Sequence, residues 1–217
     1  MTIAVIWGIS ITAQLLALGV GTLGRSGVSG AQAGIAWRRT PLFVTWGILQ
    51  LVTSIGLWWI NAAGQHAWYL DLWRLKQWLV IVPGALLATL EALRTLRVRT
   101  YGPMWLAVAG AGLLWAVARR PAVWPGSGQE LIFVGEATVQ VGLGLMLAAG
   151  MVVGEPGWPR SHAVTLAAWM LTQAVGLYSA SLLFPWMGYG MELAATACWL
   201  GWAYEWRGTQ RHPAITD

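Results

Sequence analysis

Glu136 and Gln140 are polar residues that lie four positions apart in the predominantly apolar stretch 131–153. On a helix, that spacing places both side chains on the same face. A run of about 20 apolar residues is long enough to cross the hydrocarbon core of a bilayer. An acidic residue inside such a span is costly unless it faces protein or water, so Glu136 is a candidate functional residue.

Three further glutamines lie near the middle of other apolar stretches: Gln14, Gln50 and Gln173. A membrane helix satisfies its own backbone, so each side-chain amide needs a separate partner. Two interpretations are open. The amides either hydrogen-bond to one another and hold helices together, at about 0.6–2 kcal/mol each, or they line a polar cavity at the membrane midplane that binds a small solute.

Glu192, in the last apolar stretch, and Glu136 are expected about one helical turn to the outer side of the glutamines. If both face the interior, they form an acidic entrance that suits a proton relay or a cation site. Alternatively each reaches interfacial water, Glu192 in particular because Gly188 and Gly190 lie beside it. No catalytic or metal-ligating residue is predicted. The predicted solute-binding residues are Gln14, Gln50, Glu136, Gln140, Gln173 and Glu192.

Two other acidic residues have an arginine three positions later in the chain. Glu91 precedes Arg94 and Asp71 precedes Arg74, a spacing at which an ion pair along one helix is the expected interaction. Pro83-Gly84 lies in the same apolar stretch as Glu91. A proline there removes a backbone hydrogen bond and predicts a kinked helix.

The composition indicates a membrane protein. Of the 217 residues, 57% are hydrophobic and 10% are charged, whereas a soluble domain has about 25% charged residues. The net charge of +5 comes mainly from basic residues between apolar stretches, so it indicates membrane orientation and not nucleic-acid binding. The first apolar stretch follows no positively charged segment, which predicts a retained span and not a signal peptide. The single cysteine, Cys198, excludes an intrachain disulfide.

The predicted fold is all-α, with seven membrane-spanning helices in one domain covering residues 1–217. The approximate spans are 3–23, 41–60, 75–93, 103–118, 131–153, 163–184 and 188–204. The third span has two alternative starts, near residue 68 or near residue 75. The choice is open because the segment between them is rich in tryptophan and also suits the membrane interface.

The basic residues are distributed unequally between the two sides of the predicted bundle. The larger group has nine members: Arg25, Arg38, Arg39, Arg94, Arg97, Arg99, Arg160, Arg207 and Arg211. The smaller group has four members: Arg74, Lys76, Arg119 and Arg120. The positive-inside rule places the larger group in the cytoplasm, with the N-terminus outside and the C-terminus inside, most simply in a bacterial inner membrane. Lys76, the only lysine, is thereby assigned to an outer connection. Many of the 17 tryptophans lie near predicted span ends, as in an aromatic belt.

A short internal repeat relates the two halves of the chain. Thr12-Ala-Gln14 corresponds to Thr138-Val-Gln140, and Trp46-xxx-Gln50 corresponds to Trp169-xxx-Gln173. With halves 1–100 and 127–210 and a linker helix in 101–126, the chain has a parallel 3+1+3 layout. This layout resembles that of the SWEET and PQ-loop carriers of sugars and amino acids. The Pro-Gln dipeptide of the PQ-loop family is absent, so no site residue carries over.

Other motifs do not indicate a cofactor. The GxGxxG pattern at 19–24 follows no predicted strand, and the GxSG pattern at 27–30 lies in a predicted connection instead of a span. His66, His162 and His212 lie at span ends or in the tail, and Lys76 is not in the last span, where a retinal-binding lysine is expected. No cofactor or metal is therefore predicted.

Three functions fit these observations. The preferred one is a carrier for a small polar or cationic solute, because polar residues at the midplane of repeat-related spans are what a carrier needs. The alternative is a non-catalytic subunit of a larger membrane complex, whose partners are other membrane subunits as well as the lipid bilayer. The second alternative is a lipid-modifying enzyme. Enzymatic activity is not expected, because the sequence shows no cluster of carboxylates, or of Ser and His residues, at one interface.

Overall fold

The computed structural model describes residues 3–23, 39–98, 129–154, 158–181 and 185–211. These residues are almost entirely helical, with 94% in helix and no strands among them, which confirms the all-α class. The predicted fourth span, 103–118, and the predicted linker, 101–126, lie outside the described residues. So do several of the arginines on which the predicted orientation depends.

Seven helices are present in the described residues. They are α1 (Ile3–Leu23), α2 (Pro41–Ala62), α3 (His66–Lys76), α4 (Val82–Thr95), α5 (Gln129–Val153), α6 (Trp158–Ser181) and α7 (Pro185–Arg211). A π-helical turn, Gln77–Ile81, joins α3 to α4 without a break. The turn lies just before Pro83, whose missing N–H removes one backbone hydrogen bond. A widened turn therefore lies near Pro83 in a continuous helix, and the kink stays a prediction.

Four segments of these helices are long and apolar enough to cross a membrane: Val5–Thr22, Pro41–Ala62, Asp71–Thr95 and Val134–Val153. They are consistent with integration of the chain into a membrane. The third segment begins at Asp71, between the two predicted starts, so the helix that contains it also contains Lys76. Membrane crossing by α6 and α7 remains a prediction.

The helices pack as a closed ring. Each of α1, α2, α4, α5, α6 and α7 contacts the next in that order, and α7 returns to contact α1. The α3 helix packs against α2, and α4 also reaches α6. Glycines permit the closest approaches in this ring. A Cβ on Gly84 would overlap the indole ring of Trp46, so α4 and α2 meet at a position where only glycine fits without rearrangement.

Aromatic side chains fill much of the interior. Phe43 is fully buried, and its ring centroid lies 4.5 Å from that of Trp202 and 5.9 Å from that of Trp206. Trp206 is 1% exposed, so its indole packs in the core and not on the outer surface of the bundle. Trp58 and Trp59 are exposed on α2, as an interfacial role requires.

Candidate functional site

A polar cavity lies among α1, α2, α6, α7 and the segment formed by α3 and the π-helical turn. The space open to the centres of water molecules is about 80 Å³, whereas a single water needs about 10–15 Å³ by the same measure. The cavity therefore has room for several waters or a small solute. Its lining comprises Trp7, Ser10, Ile11, Gln14, Gln50, Ser54, Leu57, Trp73, Lys76, Gln77, Ile81, Gln173, Glu192, Ala195 and Trp199.

Four of the six predicted solute-binding residues line this single cavity. They come from four different helices: Gln14, Gln50, Gln173 and Glu192. Gln14 is 5% exposed and Gln50 is 6% exposed, and the side-chain carbonyl oxygen of each accepts no hydrogen bond from the described residues. Neither oxygen therefore accepts a hydrogen bond from the other amide, as interhelical glue would require. A buried acceptor of this kind needs a donor, which a water or a solute in the cavity can supply.

Glu136 and Gln140, the other two predicted residues, form a buried pair on α5. Gln140 Nε2 donates to Glu136 Oε1 at 2.8 Å, as expected for polar residues one turn apart. The Gln77 amide contacts the same carboxylate. With its nitrogen facing Glu136, it donates to Oε1 at 2.8 Å and to Oε2 at 3.0 Å, while its oxygen accepts from Trp73 Nε1 at 3.2 Å. The structure thus places Glu136 behind Gln77, next to the cavity but not in its lining.

Lys76 is the main residue that the sequence analysis did not include in the site. Its ammonium Nζ donates to Ser54 Oγ at 2.7 Å, and both residues line the cavity. The ammonium also interacts electrostatically with the carboxylates of Glu192 and Glu136. One cation therefore lies within electrostatic range of two acids, one on α7 and one on α5.

The remaining contacts of Glu192 tie α7 to α1. The Ser10 side chain hydrogen-bonds to the Glu192 carboxylate. The neighbouring walls of the cavity are aromatic. The indole of Trp7 stacks on the Tyr69 ring, with centroids 5.8 Å apart and planes inclined by 22°, and Trp7 and Trp199 both border the cavity. Aromatic faces beside acidic groups form a setting in which organic cations bind well.

The tryptophans of the two Trp-xxx-Gln segments contact each other. The rings of Trp46 and Trp169 meet edge to face, with centroids 4.9 Å apart and planes at 88°. Both are buried, and each lies one helical turn before a glutamine that lines the cavity, Gln50 or Gln173. This contact joins α2 to α6 next to the cavity.

No protein-family model, curated protein or solved structure matches this chain. Inferences about its function therefore rest on the geometry described above.

One other cluster of hydroxyls and a carboxylate joins α6 to α7. Glu205 Oε1 accepts hydrogen bonds from Ser161 Oγ at 2.7 Å and from Thr165 Oγ1 at 2.8 Å. His162, the next residue after Ser161, is fully buried and packs edge-on against Phe43, with ring centroids 4.9 Å apart. Since the imidazole faces this aromatic core, the cluster has the features of a helix-to-helix tie and lacks a serine nucleophile with its base.

A signal for Lys76 was present in the sequence. It is the only lysine beside 12 arginines, and it lies inside the third span whenever that span is taken to start near residue 68. If the span starts near residue 75, Lys76 lies at the edge of the membrane, and its charge then indicates only the orientation of the chain. Only the packing of α3 against α2 distinguishes these two starts of the span, because it brings Lys76 into contact with Ser54.

Proposed function

We propose that this protein is a membrane carrier that binds a small polar or cationic solute in the cavity bordered by Gln14, Gln50, Gln173 and Glu192. The observation that carries the proposal is the convergence of these side chains from four helices on one space. Interhelical glue would instead pair the amides with one another. A carrier needs a polar site enclosed by several helices, so that rearranging those helices exposes the site to each side in turn.

The proposal includes a finer description of the bundle. It takes the chain to have seven spans in a parallel 3+1+3 layout, with the N-terminus outside and the C-terminus in the cytoplasm of a bacterial inner membrane. The contact between Trp46 and Trp169 supports this layout, since residues at matching repeat positions are expected to lie near a shared axis. The proposed solute site then lies between the two halves.

The alternative function is that of a non-catalytic subunit in a larger membrane complex. The network of Gln140, Glu136 and Gln77 favours it, because this network holds α5 against the π-helical turn and reaches the cavity only through Gln77. A purely structural protein needs such ties and needs no solute. In that case the cavity holds only water.

The test is a flux measurement on the purified chain in liposomes. Radiolabelled ethylammonium, glycerol and urea represent cationic and neutral polar solutes, and protein-free liposomes provide the background. A carrier gives saturable uptake of at least one probe, and Gln50→Leu reduces that uptake. The matched control is Gln65→Leu, which makes the same change at an exposed position between α2 and α3.

The result that would contradict the proposal is uptake at the background rate for all three probes. Purification in mild detergent followed by mass spectrometry then distinguishes the alternative. Stoichiometric membrane partners would establish the subunit function, because a carrier of this kind is expected to purify alone.

A further inference from the structure

The ionisable groups at the cavity include more acids than bases. Lys76 supplies one positive charge, whereas Glu192 and Glu136 supply two carboxylates, and the ammonium interacts with both of them. With all three groups ionised, the cluster carries one net negative charge. Burying an uncompensated charge among helices is costly. Either a proton on one of the two carboxylates or one added monovalent cation makes the cluster neutral.

The cavity also has the acceptors that a particular kind of cation requires. The buried oxygens of Gln14 and Gln50 accept no hydrogen bond from the described residues, and Glu192 provides a carboxylate beside them. A primary ammonium group has three N–H donors and no acceptor. The number and chemistry of these acceptors match the three donors, and an alkyl substituent would lie against the indoles of Trp7 and Trp199.

We propose that the solute is a small primary ammonium ion, which binds to Glu192, Gln14 and Gln50 while Lys76 stays hydrogen-bonded to Ser54. This inference rests on the proposed function, because it names the solute class of the same cavity. It assigns two opposite effects to the two charged neighbours. Glu192 attracts the bound cation, and the ammonium of Lys76 repels it and limits its affinity.

The experiment measures binding to the purified full chain in lipid nanodiscs. The thermal unfolding midpoint is followed by tryptophan fluorescence during titration with ethylammonium chloride. Ethanol is the neutral control of similar shape, and potassium chloride is the control for an inorganic cation at equal ionic strength. A ligand that binds the folded protein raises the midpoint in a concentration-dependent way.

Ethylammonium is expected to raise the midpoint of the wild-type protein more than either control. Glu192→Gln is expected to weaken the apparent affinity by roughly 100-fold, because it removes the charged acceptor. Lys76→Gln is expected to strengthen the affinity, because it removes the repulsion between two ammonium groups. A merely structural role for these residues would not move affinity in opposite directions.

A second variant covers the case in which Glu192→Gln does not fold. Gln50→Leu removes one neutral acceptor without changing the charge, and a weakening of about tenfold is expected from it. The proposal is overturned if ethylammonium acts no more strongly than ethanol or potassium chloride. It is also overturned if acetate stabilises the wild type and Lys76→Gln abolishes that effect, since the site would then bind anions.

The binding measurement and the flux measurement test different claims, and either claim can be contradicted without the other. Ethylammonium binding without flux contradicts the carrier function and leaves the ammonium site intact. Flux of glycerol or urea without ethylammonium binding contradicts the ammonium site and leaves the carrier function intact.

Discussion

Glu91 on α4 caps the first turn of α2, where its Oε2 accepts a hydrogen bond from the Phe43 backbone N–H at 2.8 Å. Its Oε1 accepts from the Leu42 N–H at 3.0 Å. The first N–H groups of a helix have no partner within that helix, and Pro41 at the start of α2 has no N–H to offer. A carboxylate 48 residues along the chain from Phe43 therefore supplies the capping that the local sequence lacks.

Glu91→Ala is expected to lower the free energy of unfolding by about 1–3 kcal/mol, because it leaves two backbone donors without their acceptor. Glu91→Gln should lose less, since its amide oxygen still accepts one bond. Unfolding in mixed micelles, followed by tryptophan fluorescence, provides the measurement. Arg74→Gln is the control, because it breaks the Asp71–Arg74 pair, which is partly exposed and should contribute little. Equal effects of Glu91→Ala and Arg74→Gln would contradict a capping role.

Gly84→Ala is expected to destabilise the bundle by about 1–3 kcal/mol, the usual cost of overpacking a core. The added methyl overlaps the indole of Trp46, which is itself 2% exposed and packed against Trp169. Gly19→Ala is the matched control on α1, where a Cβ meets nothing within 4 Å. Adding Trp46→Phe to Gly84→Ala should recover part of the loss. If Gly84→Ala proves as stable as Gly19→Ala, the close approach of α2 and α4 is not as described.

Gln14→Leu and Gln50→Leu are expected to reduce uptake by tenfold or more while leaving the unfolding free energy within about 1 kcal/mol of the wild type. The reason is that their side-chain oxygens have no partner among the described residues, so little folded-state bonding is lost. Uptake and unfolding are measured on the same preparations. Loss of stability with normal uptake would instead identify the two amides as structural ties between helices.

Glu136→Gln is expected to impair uptake without preventing folding. The substitution keeps the size of the side chain but turns one acceptor oxygen into an NH₂ group beside the donors of Gln140 and Gln77. It also removes one of the two carboxylates that face Lys76. Thr138→Val is the control on the same helix, because the Thr138 hydroxyl bonds to the Val134 carbonyl of its own turn. Wild-type uptake in Glu136→Gln would exclude a role for this carboxylate.

The helices of the described residues were predictable because each apolar stretch is long and uninterrupted. The residues around Gln14, Gln50 and Gln173 were predictable as a group, since their depth in each helix follows from counting along the span. The position of Glu136 behind Gln77 was not predictable, because the rotation of α5 about its own axis depends on which helices pack against it. The partner of Glu91 was missed for a similar reason. Spacing indicated Arg94, three residues away, but the hydrogen-bond donors come from another helix.

The ring of helices closes through α4 and α5 by direct contact, although 33 residues separate the end of α4 at Thr95 from the start of α5 at Gln129. In the described residues, the bundle therefore consists of two pieces, α1–α4 and α5–α7, that meet along two seams, one where α4 contacts α5 and α6 and the other where α7 contacts α1. Noncovalent packing along both seams is enough to orient the pieces. Two co-expressed polypeptides that together keep the whole chain, divided at a point between residues 98 and 129, should consequently reassemble into a working bundle.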